Sequence, residues 1–411
     1  MDRGLRKGQL RLLWKKLERR IMKLKLLILT LFLSPSLWAL DVKIRLFSTD
    51  NLTSATIIPD TGAYYLIALD DKLRPIDTVL DVFEEEENRK LSIIRYGKDV
   101  QAKKGDNNLG IYDAVLIRSK DPKKEFRIYA AGKWRVYHGD LQLRIYDGYV
   151  QVVNIVDIED YVGGVVESEG GHELNPEYFK AQAVLARTFV LRNWNKHIRD
   201  GYNLKDDVTS QVYFSKAHYR YSAAIQDAVD CTKDTVIVTY DCEPILGVFH
   251  ANSGGYTVGS DHAWSKAIEY LKPQRDTFSL NVGSYNWEKT VSKSEFYGYV
   301  ASKMGVSNDV HLHKAWLNFD QRNGRVAYFE YKGKRLKLTS LRTKFRLRST
   351  YFTVQESGSN LILKGNGYGH GVGLSQDGAM EMDKRGYNYR EILKFYFSDV
   401  ELECIEHLGD S

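Results

Sequence analysis

The stretch Asn175–Arg192 limits the architecture more than any other part of the chain. Asn175 is a good N-cap, and Pro176 suits the first helical position, where a missing N–H costs nothing. Phe179, Ala183, Ala186, Val190 and Trp194 recur at helical spacing, so the spacing predicts a helix over 176–199 with that stripe buried. Ala181, Ala183 and Ala186 are small, which lets another element pack close. Upstream, Glu167 and Glu169 stand between an apolar run and Gly170-Gly171. Two readings of these acids are open. They are solvated loop carboxylates, or one of them is a general acid held by the buried helix beside a glycine-opened groove.

From Asp41 to Asn154 the alternation is that of strands. Val42, Ile44 and Leu46 alternate with Lys43 and Arg45, and Leu141, Leu143 and Ile145 with Gln142 and Arg144. Asp147-Gly148 predicts a tight hairpin turn into 149–154. Glu84–Glu87 reads as a solvated acidic loop. Gln211–Phe214 predicts a short strand and Ser222–Asp230 a helix; 236–240 and 245–250 predict a hairpin across Asp241–Pro244. The texture changes near Glu288. A helix over 292–304, a hairpin turning on Asn323-Gly324 between 316–319 and 325–331, and a short helix over 341–346 suggest a lobe inserted before the chain returns at Tyr351. Asn388 with Glu391 three positions on predicts a capping box for a final helix, 389–397. The fold class expected is α+β: a β-rich core with one long buried helix, plus an inserted smaller α+β lobe. The expected divisions are 1–39, a β-rich region 40–138, a core from 139–287 and 351–400, and the lobe 288–350.

Residues 1–39 hold ten Lys or Arg against two acids, then the apolar run Leu26–Leu33 and Ala39 before a polar start. This is the pattern of a secretory signal peptide, or of an uncleaved N-terminal anchor, and the run is short for a bilayer span. It predicts export to the periplasm or cell envelope, with membrane contact only through this segment. Without it the chain has 49 basic and 51 acidic residues, so the net charge of +6 becomes −2. That removes any electrostatic footprint for nucleic acid. Cys231, Cys242 and Cys404 form neither a disulfide framework nor a zinc ligand set.

Gly365, Gly367, Gly369, Gly371 and Gly373 alternate, which matches no phosphate-binding loop. Such glycines clear one face of a strand for a close backbone or a flat ligand, near His370, Ser375 and Gln376. A second glycine-rich turn follows His250: Asn252-Ser253-Gly254-Gly255. Neither Ser253 nor Ser375 lies in a G-x-S-x-G elbow, which argues against a serine hydrolase. His311 and His313 have metal-ligand spacing on a strand but no third ligand nearby and read as surface histidines.

Six separated blocks, in order, resemble one family: Val165-Val166-Glu167-Ser168-Glu169, Lys180-Ala181-Gln182-Ala183, Ala186-Arg187-Thr188, Ser210-Gln211-Val212-Tyr213, His250 with Ser253-Gly254-Gly255, and Gly367–Gln376. That family comprises the stage II sporulation protein D and amidase-enhancer proteins, and the likeness runs from about Gly139 to Phe397. The resemblance implies a lytic transglycosylase acting on peptidoglycan, particularly on peptide-free glycan strands, with the catalytic glutamate at Glu169. Candidate substrate-binding residues are Arg187, Gln211, Tyr213, His250, Ser253, Gly254, His370, Ser375 and Gln376; Arg187 reads equally well as the partner of an acid at the helix. Sporulation members bind zinc through Cys and His just before Gln-Val-Tyr. Here that block is Lys205-Asp206-Asp207-Val208-Thr209-Ser210, so no metal and no cofactor is expected. Gly170 stands where the family often has methionine after the glutamate. The rival reading from another class is a non-catalytic glycan-binding enhancer whose partner is a cell-wall amidase.

Overall fold

The structure is a computed structural model. It describes residues 40–405 except 60–61, 77–78, 84–89, 171–172, 215–220, 265 and 322–323. The expectations for 1–39, Glu84–Glu87, Gly171 and Asn323 therefore lie outside the described residues.

The fold is α+β. Among the described residues a seven-stranded and a six-stranded sheet face each other across one hydrophobic core. Alternation sets which side chains go inside: Val42, Ile44 and Leu46 are at most 1% exposed, while Lys43 and Arg45 lie at the margin. Asp147 (φ 51°) and Gly148 (φ 78°) both take the left-handed conformation that a two-residue hairpin requires, joining Asp140–Tyr146 to Tyr149–Asp157. Asp41–Leu46 pairs antiparallel with Tyr149–Asp157 and parallel with Leu204–Lys205. The first strand is thus woven into the sheet that carries the helices, and packing shows no boundary at residue 138.

The strand Tyr149–Asp157 runs straight into helix α1, Ile158–Gly170. The sequence did not announce this helix. Val162, Val165, Val166, Gly163 and Gly164 are weak helix formers, yet all are buried, so tertiary burial overrides local propensity. Glu167 and Glu169 are consequently helical, not loop, residues. Helix α2, Pro176–Arg192, carries the expected stripe but ends seven residues early, with Trp194 beyond it packed on the core. It is buried on nearly every face, including Gln182, Arg187 and Thr188. Asn175 makes no side-chain cap. Instead an Asp383 carboxylate oxygen accepts from the N–H groups of Glu177 (2.9 Å) and Tyr178 (3.1 Å). A charged acceptor at the positive helix end is the stronger cap, and only the packing of the helix Gln376–Lys384 brings it there.

The helix Ser222–Cys231 forms as expected. The hairpin across Asp241–Pro244 closes only at its turn, where Val238 bridges Pro244 antiparallel and Ile245 N–H donates to Ile237 O (3.0 Å); beyond it Thr235–Thr239 pairs with Val400–Cys404, and Phe249–His250 pairs parallel with Leu374–Ser375. Remote strands offered longer ladders than the local one. All three cysteines are free thiols. The capping box at Asn388 and Glu391 is present on the helix Tyr389–Tyr396.

A second core gathers residues from Trp287 to Leu363. Its sheet joins Asn286–Ser292, Phe352–Ser357 and Asn360–Asn366, so the lobe reaches past Tyr351, where the chain was expected to return. Helices Lys293–Met304 and Leu338–Phe345 match expectation. Trp316 lies instead in a helix, Val310–Leu317, and the hairpin pairs Tyr328–Tyr331 with Lys334–Lys337 through Lys332-Gly333. His311 and His313 are thus on a helix, His313 stacked on Tyr297 at 3.7 Å.

The glycine block is not a strand beyond Asn366. Gly367, Gly369, Gly371 and Gly373 all have positive φ (79°, 112°, 83° and 70°), and the chain bends at each to follow its neighbours. A Cβ on Gly373 would lie 2.2 Å from the Val248 carbonyl oxygen, which itself accepts from Leu374 N–H. We expect Gly373→Ala to cost about 3 kcal/mol by urea unfolding, against about 1 kcal/mol for Gly148→Ala, whose φ is similar but whose surroundings are open. Equal costs at the two positions would show that steric contact adds nothing to the backbone strain.

Candidate active site

Glu169 sits in the last turn of α1, half-buried. Its Oε1 accepts from Val212 N–H at 3.0 Å. The preceding Ser168 Oγ donates to the Gly164 carbonyl (2.7 Å) and accepts from Phe214 N–H (3.2 Å). Two successive α1 side chains thereby strap residues 211–214, which run as irregular backbone rather than the expected strand: the N–H groups of Val212 and Phe214 go to these side chains and that of Tyr213 to the Asp206 carbonyl. Burial pushes the Glu169 carboxyl above its usual range, with the Val212 N–H pulling the other way. The negative end of the α1 dipole works in the same direction as burial. Among the described residues no charged group pairs with it. Gly170 has a local reason: a Cβ there would be 2.1 Å from the Tyr178 hydroxyl, which occupies the space a longer side chain needs.

Gln376 ties the glycine block to this point. Its Nε2 donates to the Glu169 carbonyl and to the Tyr178 hydroxyl, both at 3.2 Å. Glu169 and the end of the glycine block are therefore neighbours, although 207 positions separate them in sequence.

The remaining candidates divide by exposure. Arg187 is fully buried; it pairs bidentately with Glu159 (Nε–Oε1 2.8 Å, Nη2–Oε2 2.5 Å) and donates to Thr235 O. This is the arrangement in which it partners an acid at the helix. Tyr213 is also fully buried and donates to Asn154 Oδ1 at 3.1 Å. Gln211 Oε1 accepts from Tyr161 OH at 3.2 Å, while its Nε2 is buried without a partner among the described residues. Ser253 Oγ donates to Asp276 at 2.8 Å, and Ser375 Oγ shares a hydrogen bond with Ser279 Oγ at 2.7 Å. Gly254 (φ 74°) lies against the Asn366 backbone. His250 Nδ1 meets Val372 O at 3.1 Å, and its ring is 5.5 Å from that of His370. His370, half-buried, accepts from Val372 N–H at Nδ1. The two serine hydroxyls are thus engaged with Asp276 and Ser279 rather than with a histidine ring, although Ser375 lies opposite His250 in the strand pair. Ser253, Ser375 and His250 bond within and between the two glycine turns, and Glu169 and His370 are the candidates of intermediate burial.

Sequence reasoning missed Asp276, Tyr178 and Arg325. Asp276 is fully buried and takes hydrogen bonds from Ser253, Ser279 and Tyr396; burial raises its carboxyl above the usual range. No motif surrounds it, so only the three-dimensional contacts reveal it.

The two carboxylates of the block from Lys205 to Ser210 are engaged within the protein. Asp206 accepts from Arg135 at 2.6 Å and from the N–H groups of Phe47 and Ser48. Asp207 accepts from Ser48 and Thr209 hydroxyls. Both carboxylates are committed to protein donors, and an arginine cation already neutralises the first.

The family model for stage II sporulation protein matches residues 146–240, which include α1, α2 and the strapped segment. Stage II sporulation protein D of Bacillus subtilis (strain 168) is 32% identical over 274 residues, spanning 64% of this chain and 79% of that protein. An uncharacterised protein of Brachyspira hyodysenteriae (strain ATCC 49526 / WA1) is 31% identical over 65% of this chain and 72% of its own length. The amidase enhancer of B. subtilis (strain 168) is 27% identical over 58% of this chain and 40% of the enhancer. With a relative 32% identical over 79% of its own length and the strapped glutamate inside the matched segment, the chain belongs to the SpoIID family of stage II sporulation proteins.

Proposed function

We propose that this chain is an exported peptidoglycan lytic transglycosylase that cleaves the bond between N-acetylmuramic acid and N-acetylglucosamine in peptide-free strands. Glu169 serves as its only acid and base. The observation that carries the reading is the environment of that carboxyl: half-buried, without a charged partner among the described residues, and raised in pKa by burial. Such a group stays protonated where an ordinary carboxylate is ionised, as a general acid must. Protonated Glu169 gives its proton to the glycosidic oxygen as the bond to C1 breaks. The resulting carboxylate then takes the proton of the sugar's own 6-hydroxyl, whose oxygen closes on C1. The 1,6-anhydro ring forms and Glu169 ends protonated again. Water is not the nucleophile, so the second carboxylate of a hydrolase is not needed. Tyr178 and Gln376 hold the backbone around the acid.

The likeness to an amidase enhancer supports a second reading, a glycan-binding module that assists a cell-wall amidase. Mass spectrometry of peptide-free glycan after incubation separates the two. The enzyme leaves 1,6-anhydro ends. Ordinary reducing ends indicate hydrolysis, and binding without any new ends indicates the module.

A further inference from the structure

A cluster of positive charge with no counter-ion among the described residues lies beside the glycine block. Arg325 comes from the inserted lobe and is only 7% exposed. Its Nη1 donates to Ser253 O (3.2 Å) and its Nη2 to Thr350 Oγ1 (3.3 Å), both neutral acceptors at long range. Its Nε is buried with no hydrogen-bond partner among the described residues. Burial and then the neighbouring Arg342 push this guanidinium down to about 10. Arg342 is half-buried, and burial lowers it too. Its Nε reaches only the Arg348 carbonyl, at 3.3 Å. Among the described residues neither guanidinium pairs with a carboxylate. His370, next to both, is pushed down to about 4 by burial and by these two cations.

Buried positive charge is expensive unless something negative meets it. Two features show that the position is built. A Cβ on Gly371 would be 2.1 Å from Arg325 Nη1, so the glycine is what admits the guanidinium. Two aromatic rings remain open to solvent beside it: Trp264, 38% exposed and 5.5 Å from the His370 ring, and Tyr368, 44% exposed beneath Arg348. Planar donors for an oxyanion next to exposed rings suit a sugar that carries a carboxylate. His370 is six residues from Gln376, which touches Glu169, so the cluster lies within about 20 Å of the acid along the chain.

We propose that Arg325 and Arg342, flanked by Trp264 and Tyr368, form a subsite for the free lactyl carboxylate of an N-acetylmuramic acid residue, and that this contact selects strands stripped of peptide. In a peptide-bearing strand that carboxyl is an amide, with no charge to offer. The inference rests on the glycan reading above for the identity of the sugar, but not on cleavage.

The test uses the full chain and peptide-free strands, either unmodified or with the lactyl carboxylates converted to methylamides. Binding is measured by calorimetry on the Glu169→Gln protein, and product release is measured on the wild type. We expect methylamidation to weaken binding at least tenfold. Adding Arg342→Gln should weaken binding of the unmodified strand by a similar factor and leave the amidated strand unchanged. Arg342→Lys, which keeps the charge but loses the fork, should fall between and serves as the folding control. Equal binding of both strands overturns the subsite, as does an equal loss on both in Arg342→Gln. Selective binding without anhydro products leaves the subsite standing and removes the transglycosylase. Anhydro products without selectivity do the reverse, and no binding of either strand removes both.

Discussion

Glu169→Gln should reduce the release of anhydro-ended products by about a thousandfold, within the range over which a positioned acid–base group accelerates a reaction. Glutamine keeps the shape and can still accept from Val212 N–H, so the strap on residues 211–214 survives and only the proton is lost. The effect should fall on turnover, with binding of strands preserved. Wild-type activity should be highest in mildly acidic solution and decline as pH rises through the elevated pKa, because the working form is the protonated one. Stability carries the same sign. The folded-state pKa is raised, so the favourable contribution is complete below the unfolded pKa and is lost as pH climbs through the folded one. The glutamine variant escapes that loss. It should therefore be more stable than wild type at pH 8, by on the order of 1 kcal/mol, with the gap closing toward pH 4. A variant that retains a tenth of wild-type turnover would falsify the role of Glu169.

Arg187→Met should cost about 3–5 kcal/mol in chemical denaturation, the largest stability loss expected from a single side chain outside the glycine turns. Arg187 is completely buried between α2 and α1 and satisfies three acceptor atoms: both Glu159 oxygens and the Thr235 carbonyl. Removing the cation leaves Glu159, itself 8% exposed, as an uncompensated buried charge. The double variant Arg187→Met with Glu159→Gln should recover much of the loss, since the charge that made the single change costly is then gone. A single-variant cost below 1 kcal/mol would mean that water reaches Glu159. Activity per folded molecule should be unaffected, which separates this residue from those that touch substrate.

Much of the organisation is visible in one dimension because it is local. The strand alternation at Val42–Leu46, the Asp147-Gly148 turn, the stripe of α2 and the Asn388 capping box each depend on residues a few positions apart. The motif blocks likewise point to Glu169 and to the glycine turns. What misled was local propensity where distant contacts decide. α1 is built from valines and glycines that favour a strand or a turn, and becomes helical because nearly all of it is buried. Asn175 is the better residue by type at its position, yet Asp383 caps α2 because a separate helix delivers a charge. The alternate glycines suggest a strand, whereas their positive φ values trace a bending path around His250, Arg325 and Val248.

The sequence by itself determined the α+β class, the buried α2 helix and which acid to suspect, because periodicity, turn chemistry and motif are short-range properties of a chain. Only the tertiary structure decided that Glu169 meets Gln376, that Arg187 is committed to Glu159, and that Arg325 reaches the glycine block with no acid among the described residues to pair it. Burial and charge balance depend on every segment that packs around a side chain, and those segments are gathered from positions up to two hundred residues apart.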